Sequence, residues 1–184
     1  MGVLPLYDSE RIRSAIREAA RSAWLELRAA RPNENFYYFG LVTTPNSHRP
    51  APTASSFEGL DRAVAGYREQ RIELLHDELR WSDLESPYAL YGDAHFRDVE
   101  PFFDALGSPY DRAPQVNRSL REAMVGALAD LDADGFFGRG AARDDVVLDV
   151  TVSDEAGAIA RLASASRLNP ATALAGYPLD RCQD

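Results

Sequence analysis

The segment from Phe36 to Val42 constrains the fold more than any other part of the chain. It reads FYYFGLV, an unbroken run of apolar and aromatic residues apart from Gly40. A strand with one face in water alternates apolar and polar residues, whereas a run without polar positions is typical of a strand that is covered on both faces. The sequence therefore predicts a sheet in which this strand is central.

Helical spacing of apolar residues predicts five helices around that strand. The first runs from Asp8 to Arg31, where Pro32 ends it. The second begins at Ser55, which forms a capping box with Glu58, and continues to about Leu79. The other predicted helices span Ala94–Leu106, Gln115–Leu131 and Asp154–Leu168.

Two further strands complete the prediction. A proline-rich loop after the central run leads into a short edge strand near Thr53. The segment DDVVLDVTVSD, residues 144–154, alternates Val146 and Leu148 on one face with Val147 and Asp149 on the other. Together the elements predict a single α+β domain over residues 1–184, with a small mixed sheet, four to five flanking helices and a short flexible C-terminal tail.

Charge and cysteine content narrow the classes of function. The net charge is −9, from 29 acidic and 20 basic residues, and every basic residue is an arginine. An acidic chain without lysine excludes Schiff-base and phosphate-loop lysine chemistry, disfavours nucleic acid and favours a basic protein as partner. The single cysteine, Cys182, cannot form an internal disulfide. With no secretory signal and no long apolar run, we expect a cytoplasmic protein that does not enter a membrane.

The stretch ADLDADGFFG, residues 129–138, resembles the start of a calcium-binding loop. Asp130, Asp132 and Asp134 alternate, and Gly135 follows at the position of the sharp turn. The match then fails, because Gly138 and Ala141 stand where the later ligands belong and a strand follows. We interpret Gly135 instead as the C-cap of the fourth helix. No metal, cofactor or catalytic residue is predicted.

The segment LRWSDLESPYALYG, residues 79–92, offers the best candidates for binding. Aromatic and arginine side chains on irregular backbone are what binding hot spots use. The candidate binding residues are Arg80, Trp81, Asp83, Tyr88 and His95. A structural alternative remains open, in which Trp81 fills the core and Arg80 pairs with a carboxylate.

Five phrases in order give the chain a family resemblance. Over residues 8–177 the chain resembles the bacterial domain of unknown function 4303 family. The phrases that resemble it are ENFYYFGLVTT, LRWSDLESPY, LADLDADGFFG, RDDVVLDVTVSD and SASRLNP. The resemblance rests on three short motifs, Arg80–Trp81–Ser82, Phe137–Gly138 and Leu168–Asn169–Pro170. The family has no established activity, so the resemblance implies no reaction.

Two functions follow as expectations. Small acidic proteins of this type are often immunity factors or regulators, so we expect a non-enzymatic domain that binds a basic protein. The alternative is a small-molecule-binding protein or an enzyme with a site around Arg80–Tyr88, in which Arg80 binds an anion and Asp83 or His95 accepts a proton. A pocket shared by Arg80 and His95 would favour this alternative.

Overall fold

The computed structural model of the protein describes residues 8–72, 76–153 and 157–177. Cys182 and the predicted C-terminal tail lie outside these ranges. The strands are β1 (Phe36–Thr43), β2 (Ala51–Ser56) and β3 (Val147–Val152). The helices are α1 (Ser9–Ala30), α2 (Phe57–Glu69), α3 (His76–Arg80), α4 (Glu100–Asp104), α5 (Pro114–Ala133) and α6 (Gly157–Leu168), with 3-10 helices at Asp93–Asp98 and Gly140–Arg143. In the described part of the chain, no helix is long and apolar enough to cross a membrane.

The three strands form one mixed sheet in the order β2-β1-β3. Strand β1 pairs with β2 in antiparallel register, with Gly40 opposite Thr53, and with β3 in parallel register, with Gly40 opposite Asp149. The predicted α+β class, the small mixed sheet and the central position of β1 are confirmed, as is the edge strand near Thr53.

Helices cover both faces of the sheet, as the apolar run of β1 predicts. Phe39 and Leu41 pack in one buried cluster with α1 and α5, where Trp24 lies 5.1 Å from Phe39 between ring centroids. Tyr37 and Tyr38 belong to a second cluster on the other face. These consecutive tyrosines share a face because the pairing of β1 with β2 shifts register between Phe36 and Tyr38.

Two side chains cover the outer edge of β3, beside which the described residues place no further strand. The amide of Asn169 accepts a hydrogen bond from the Leu148 N–H and donates one to the Leu148 carbonyl, each at 2.7 Å. Ser164 Oγ accepts the Val150 N–H at 3.2 Å, while its own proton is donated to Asp149 at 2.6 Å. An unpaired edge exposes backbone groups that can pair with another chain, and these side chains occupy them.

A buried carboxylate ties the last described segment to this strand. Asp149 is fully buried in β3, and it accepts hydrogen bonds from Ser164 Oγ and from Tyr177 Oη, both at 2.6 Å. The ring of Tyr177 also contacts that of Trp81, 5.0 Å away between centroids. Residues 170–177 are therefore held against the face of the sheet that α2 and α6 cover.

The start of α2 differs from the prediction by one residue. Ser56, not Ser55, is the N-cap, and its Oγ accepts the Gly59 N–H at 2.9 Å. Strand β2 extends through Ser55, whose hydroxyl bonds to Ser86 instead. Glu58 does not close a capping box, since its carboxylate accepts the backbone N–H and side-chain amide of Asn35.

The end of α2 was also predicted wrongly. The helix ends at Glu69 instead of continuing to about Leu79, and α3 is a separate short helix. Arg71 has a φ of 59°, and the Ile72 N–H bonds to the Tyr67 carbonyl at 3.0 Å. This is a helix C-cap in the left-handed conformation, which glycine usually supplies and which a sequence with arginine there does not signal.

The predicted third helix is divided in two. A 3-10 helix covers Asp93–Asp98, and α4 begins at Glu100 with Pro101 in its first turn. Proline has no N–H to donate and its ring clashes with the preceding turn, so a continuous helix cannot pass through Pro101, whereas a new helix can begin there.

The three aspartates near the end of α5 each pair with an arginine. Asp130 accepts two hydrogen bonds from Arg13, and Asp134 accepts one from Arg17 on the next turn of α1. Asp132 bonds to the Arg143 guanidinium, which is itself buried. Among the described residues no three His, Cys, Asp or Glu side chains gather into a possible metal site.

Gly135 ends α5, as the sequence predicts. Its φ is 77°, its N–H bonds to the Asp132 carbonyl at 2.8 Å, and the Phe136 N–H bonds to the Leu131 carbonyl at 3.0 Å. These two bonds form a Schellman motif, which satisfies carbonyls that the helix end would otherwise leave unpaired.

Replacing Asn169 tests the role of its amide at the edge of β3. We expect Asn169→Ala to lower the free energy of unfolding by about 2–4 kcal/mol, because the N–H and carbonyl of Leu148 both lose their partner. Urea unfolding of the variant measures the loss. Asn33→Ala, in the exposed turn after α1, is the control and should change stability by less than about 0.5 kcal/mol. Equal effects of the two would contradict this role.

A matched pair of aspartates tests the contacts of the α5 end. Asp132→Ala leaves the buried Arg143 guanidinium without its carboxylate, so we expect a loss of about 3 kcal/mol. Asp134→Ala breaks a pair whose carboxylate side chain is 61% exposed, and should cost less than about 1 kcal/mol. Thermal or urea unfolding compares them, and a larger loss for the Asp134 variant would refute the assignment.

Candidate functional site

An open cleft of about 820 Å³ lies at the end of the sheet where the parallel strands β1 and β3 begin. Phe36 and Tyr37 of β1 and Val146 and Val147 at β3 form its floor. Its walls come from four places: the second half of α1, the Arg80–Trp81 step, the loop after α5, and residues 172–176. We call it the Arg80 cleft.

The guanidinium of Arg80 lies among three aromatic rings of this cleft. Its central carbon is 5.1 Å from the ring centroid of Trp81, 5.5 Å from that of Tyr37 and 5.7 Å from that of Phe57. Each distance is within the range of a cation–π interaction. The rings also contact each other, with Tyr37 at 4.7 Å from Phe57 and 5.3 Å from Trp81. Arg80 is therefore held in one place by aromatic packing.

The hydrogen-bonding capacity of Arg80 is unused. Its Nε is buried without a hydrogen-bond partner, and the guanidinium has no carboxylate partner among the described residues. Tyr37 Oη contacts the same residue, but it donates to the Arg80 backbone carbonyl at 2.8 Å and leaves the guanidinium untouched. Arg80 lines the cleft, and its terminal nitrogens are not among the buried atoms without a partner.

Arg28 repeats this arrangement on the other face of the sheet. It projects from α1 with its guanidinium 5.4 Å from the ring centroid of Phe36 and 5.8 Å from that of Trp24. It too has no ion pair among the residues that the structure describes. Because Phe36 and Tyr37 are adjacent on β1, the two arginines stand on either side of the strand's first residues.

Other arginines of the chain are engaged by carboxylates. Arg49 forms a two-bond pair with Asp93 at 2.8 and 3.1 Å, and Arg167 forms one with Glu122 at 2.9 and 2.8 Å. Arg28 and Arg80 differ from these two arginines in having no carboxylate partner among the described residues.

Two carboxylates contribute the opposite charge to the cleft. Asp144 and Asp145 precede β3 and line it, yet neither lies within ion-pair distance of Arg28 or Arg80. The site therefore carries two positive and two negative groups that do not neutralise one another by direct contact.

Tyr37, which lines the cleft, does not act as a base at neutral pH. The described lining residues include no histidine, cysteine or serine. Burial raises the pKa of Tyr37 to about 12, and a hydrogen bond with Ser55 and the charge of Arg80 offset this only in part. The Tyr37 phenol is therefore protonated at neutral pH and cannot act there as a base.

The structure brings together two of the five sequence-predicted site residues. Arg80 and Trp81 line the cleft, and Trp81 is 8% exposed, with its ring buried in the core of that face. Trp81 is buried as the structural alternative expects, but Arg80 has no carboxylate partner among the described residues, and His95 does not line the cleft. Asp83 lies outside the cleft, where its backbone carbonyl accepts the Thr53 hydroxyl at 2.8 Å.

His95 lies on the 3-10 helix beside α1. Its Nε2 is 2.6 Å from a carboxylate oxygen of Glu26. Asp93, two residues before His95, pairs with Arg49.

Tyr88 belongs to a polar cluster around Glu34, at the end of α1. Its hydroxyl donates to the Glu34 carboxylate, which also accepts from Ser56 Oγ and from Arg62 Nη2. Burial would raise the pKa of Glu34, but these hydrogen bonds outweigh it and hold the pKa below its ordinary value. The cluster joins the end of α1 to the start of α2, which is a structural role.

Sequence reasoning missed most of the cleft. Tyr37, Phe57 and Arg28 surround the two predicted residues, although they lie 23 to 52 positions away along the chain. The available signal was the aromatic density of the central strand, whose four aromatic residues are all buried. We interpreted that density as burial alone.

Glu34→Gln tests the cluster through its pH dependence. At neutral pH we expect the variant to be less stable than the wild type by roughly 1–3 kcal/mol, because it loses the hydrogen bonds that the charged Glu34 carboxylate accepts. A lowered folded-state pKa stabilises the fold above the unfolded value near 4.5, and this stabilisation disappears as the pH falls through the folded value. Urea unfolding between pH 7 and pH 3 should therefore show the two proteins converging. Glu69→Gln, at an exposed position, is the control, and a constant difference at all pH values would contradict the assignment.

Comparison with known proteins gives a family but no activity. The family model described as "Domain of unknown function (DUF4303)" matches residues 16–170, which include β1, the Arg80–Trp81 step, the Phe137–Gly138 step and Asn169. No curated protein and no solved structure matches the chain. The match covers most of the sequence, and the chain belongs to the domain of unknown function 4303 family.

Proposed function

We propose that the protein is a non-enzymatic binding domain that holds a protein partner in the Arg80 cleft. The observation that carries the proposal is the Arg80 guanidinium, which has no carboxylate partner in the described part of the chain and is packed among Tyr37, Phe57 and Trp81. Arginine, tryptophan and tyrosine are the residues that dominate the energy of protein interfaces. Their rings are already packed, so little side-chain entropy is lost when a partner docks.

The charge of the chain supports a basic partner. A net charge of −9 attracts a protein of opposite charge over distances of about one Debye length, which raises the rate of encounter. The cleft then determines what fits at close range. This division of roles is that of an immunity-like or regulatory protein, with steering by net charge and anchoring by a few residues.

A small-molecule ligand is the second candidate, favoured by the size of the cleft. A volume of about 820 Å³ lies within the range of known ligand pockets, roughly 300–1,000 Å³. Free arginines on aromatic walls would suit an aromatic anion. The openness of the site to solvent favours the protein partner over this candidate.

Affinity isolation with matched variants tests the proposal. The tagged full chain is isolated at low salt from its native cells as wild type, as Arg80→Gln and as Arg118→Gln. Arg118 is exposed on α5 and outside the cleft, so its replacement removes the same charge without touching the site. We expect a stoichiometric basic protein with the wild type and the Arg118 variant, reduced at least about tenfold with the Arg80 variant.

Salt and folding controls complete that experiment. Raising the ionic strength should release the partner, because a steered encounter is screened by salt. Circular dichroism and thermal unfolding must show that the Arg80 variant is folded. A companion that all three proteins retain equally would overturn the cleft as the binding surface, and the absence of any companion would favour the small-molecule candidate.

A further inference from the structure

We propose that the Arg80 cleft recognises a single carboxylate side chain on a peptide segment that also carries a basic residue. This inference rests on the proposed function and deepens it, because it names the group of the partner that the cleft binds. The argument depends on which atoms of Arg80 are accessible, on how they are held, and on the charges around them.

The accessible face of Arg80 matches a carboxylate. Its Nε is sealed from solvent without a partner, so a ligand can approach only the terminal nitrogens that face the cleft. These nitrogens present a planar fork of N–H donors, which bonds to two oxygens of one carboxylate in parallel. The two oxygens of one carboxylate therefore satisfy these donors better than the single oxygen of a neutral carbonyl.

The aromatic surround makes this fork rigid. The ring centroids of Tyr37, Phe57 and Trp81 all lie within 5.7 Å of the central carbon of the guanidinium. A guanidinium that is fixed before binding loses little entropy when the ligand docks, and apolar rings around it strengthen its attraction for an anion by excluding water. A lysine at this position would lack both advantages.

The aspartates of the cleft select against highly charged anions. Asp144 and Asp145 add two negative charges to the same lining, and neither is neutralised by Arg28 or Arg80 through direct contact. A phosphate or a nucleoside triphosphate brings several negative charges and is repelled by them, whereas one carboxylate brings a single charge. The same aspartates provide a place for a positively charged side chain next to that carboxylate. A peptide segment that carries both an acidic and a basic residue therefore complements the charges of the cleft. Such a segment can belong to a partner protein whose net charge is positive.

The two tryptophans of the protein provide a built-in signal for binding. The sequence contains two, Trp24 and Trp81, and both line the cleft. Any ligand that docks there changes the environment of at least one of them, so intrinsic fluorescence reports occupancy without a label. The stacking of Arg28 on Trp24 and of Arg80 on Trp81 makes each indole sensitive to an anion at its arginine.

Selection from a random heptapeptide library displayed on phage tests the inference. The full chain is immobilised as wild type, as Arg80→Gln and as Arg118→Gln, and each is selected in parallel. We expect peptides from the wild type and the Arg118 variant to be enriched in Asp or Glu with Lys or Arg nearby, and this enrichment to be absent with the Arg80 variant. The best peptide is then resynthesised with its acid changed to the amide. Tryptophan fluorescence should show the amide form binding roughly 10- to 100-fold more weakly, with inorganic phosphate and ATP as comparison anions.

The outcomes separate this inference from the proposed function. Peptides that depend on Arg80 but show no acidic enrichment would overturn the carboxylate and leave the cleft as a binding surface. Equal pools from the wild type and the Arg80 variant, or no enrichment from any of them, would count against both. Tight saturable binding of phosphate or ATP, with no selected peptide, would replace the peptide ligand with a small anion and overturn the inference. Arg80→Lys adds a further check, because it keeps the charge and removes the planar fork, and it should bind the acidic peptide almost as weakly as Arg80→Gln.

Discussion

The burial of β1 on both faces is the constraint on which the rest of the structure depends. A strand with no polar face needs helices above and below it, so α1 and α5 cover one side and α2 and α6 cover the other. With three strands, the sheet is too narrow to hide its own edge. The second half of α6 and the chain that follows it therefore lie along β3, where Ser164 and Asn169 bind backbone groups that a further strand would otherwise pair.

The same return builds one wall of the cleft. Tyr177 donates to the buried Asp149 and packs on Trp81, which fixes residues 172–176 beside the beginning of β3. The opposite wall is fixed by the loop after α5. Gly138 has a φ of 117°, and a Cβ there would meet the Ala142 carbonyl oxygen at 2.8 Å, so only glycine permits this turn behind Phe137. The cleft is thus a product of how the sheet edge and the helix ends are satisfied.

The sequence predicted those parts of the fold that follow from local patterns. The apolar run of β1, the Pro32 stop and the Gly135 cap each act on neighbouring residues, and each was confirmed. The prediction failed where a local rule was broken by tertiary packing, as at Arg71, which takes a glycine conformation, or where a proline was treated as an ordinary residue of a longer helix. The cleft was half predicted, because Arg80 and Trp81 are adjacent in sequence while their aromatic partners come from distant elements.

The free arginines of the cleft are the least expected feature of an acidic chain. With 29 acidic residues and 20 basic ones, carboxylates outnumber arginines, and Asp130, Glu34 and Glu122 show how readily they pair. A partly buried guanidinium without a counterion loses hydration that its cation–π contacts replace only in part, since each is worth about 0.5–2 kcal/mol. The fold nevertheless gives Arg80 no carboxylate partner from the residues that the structure describes, and packs it among three rings. If stability alone were selected, a carboxylate of the protein itself would pair with Arg80. A surface that binds a carboxylate of another molecule would instead leave Arg80 available for it.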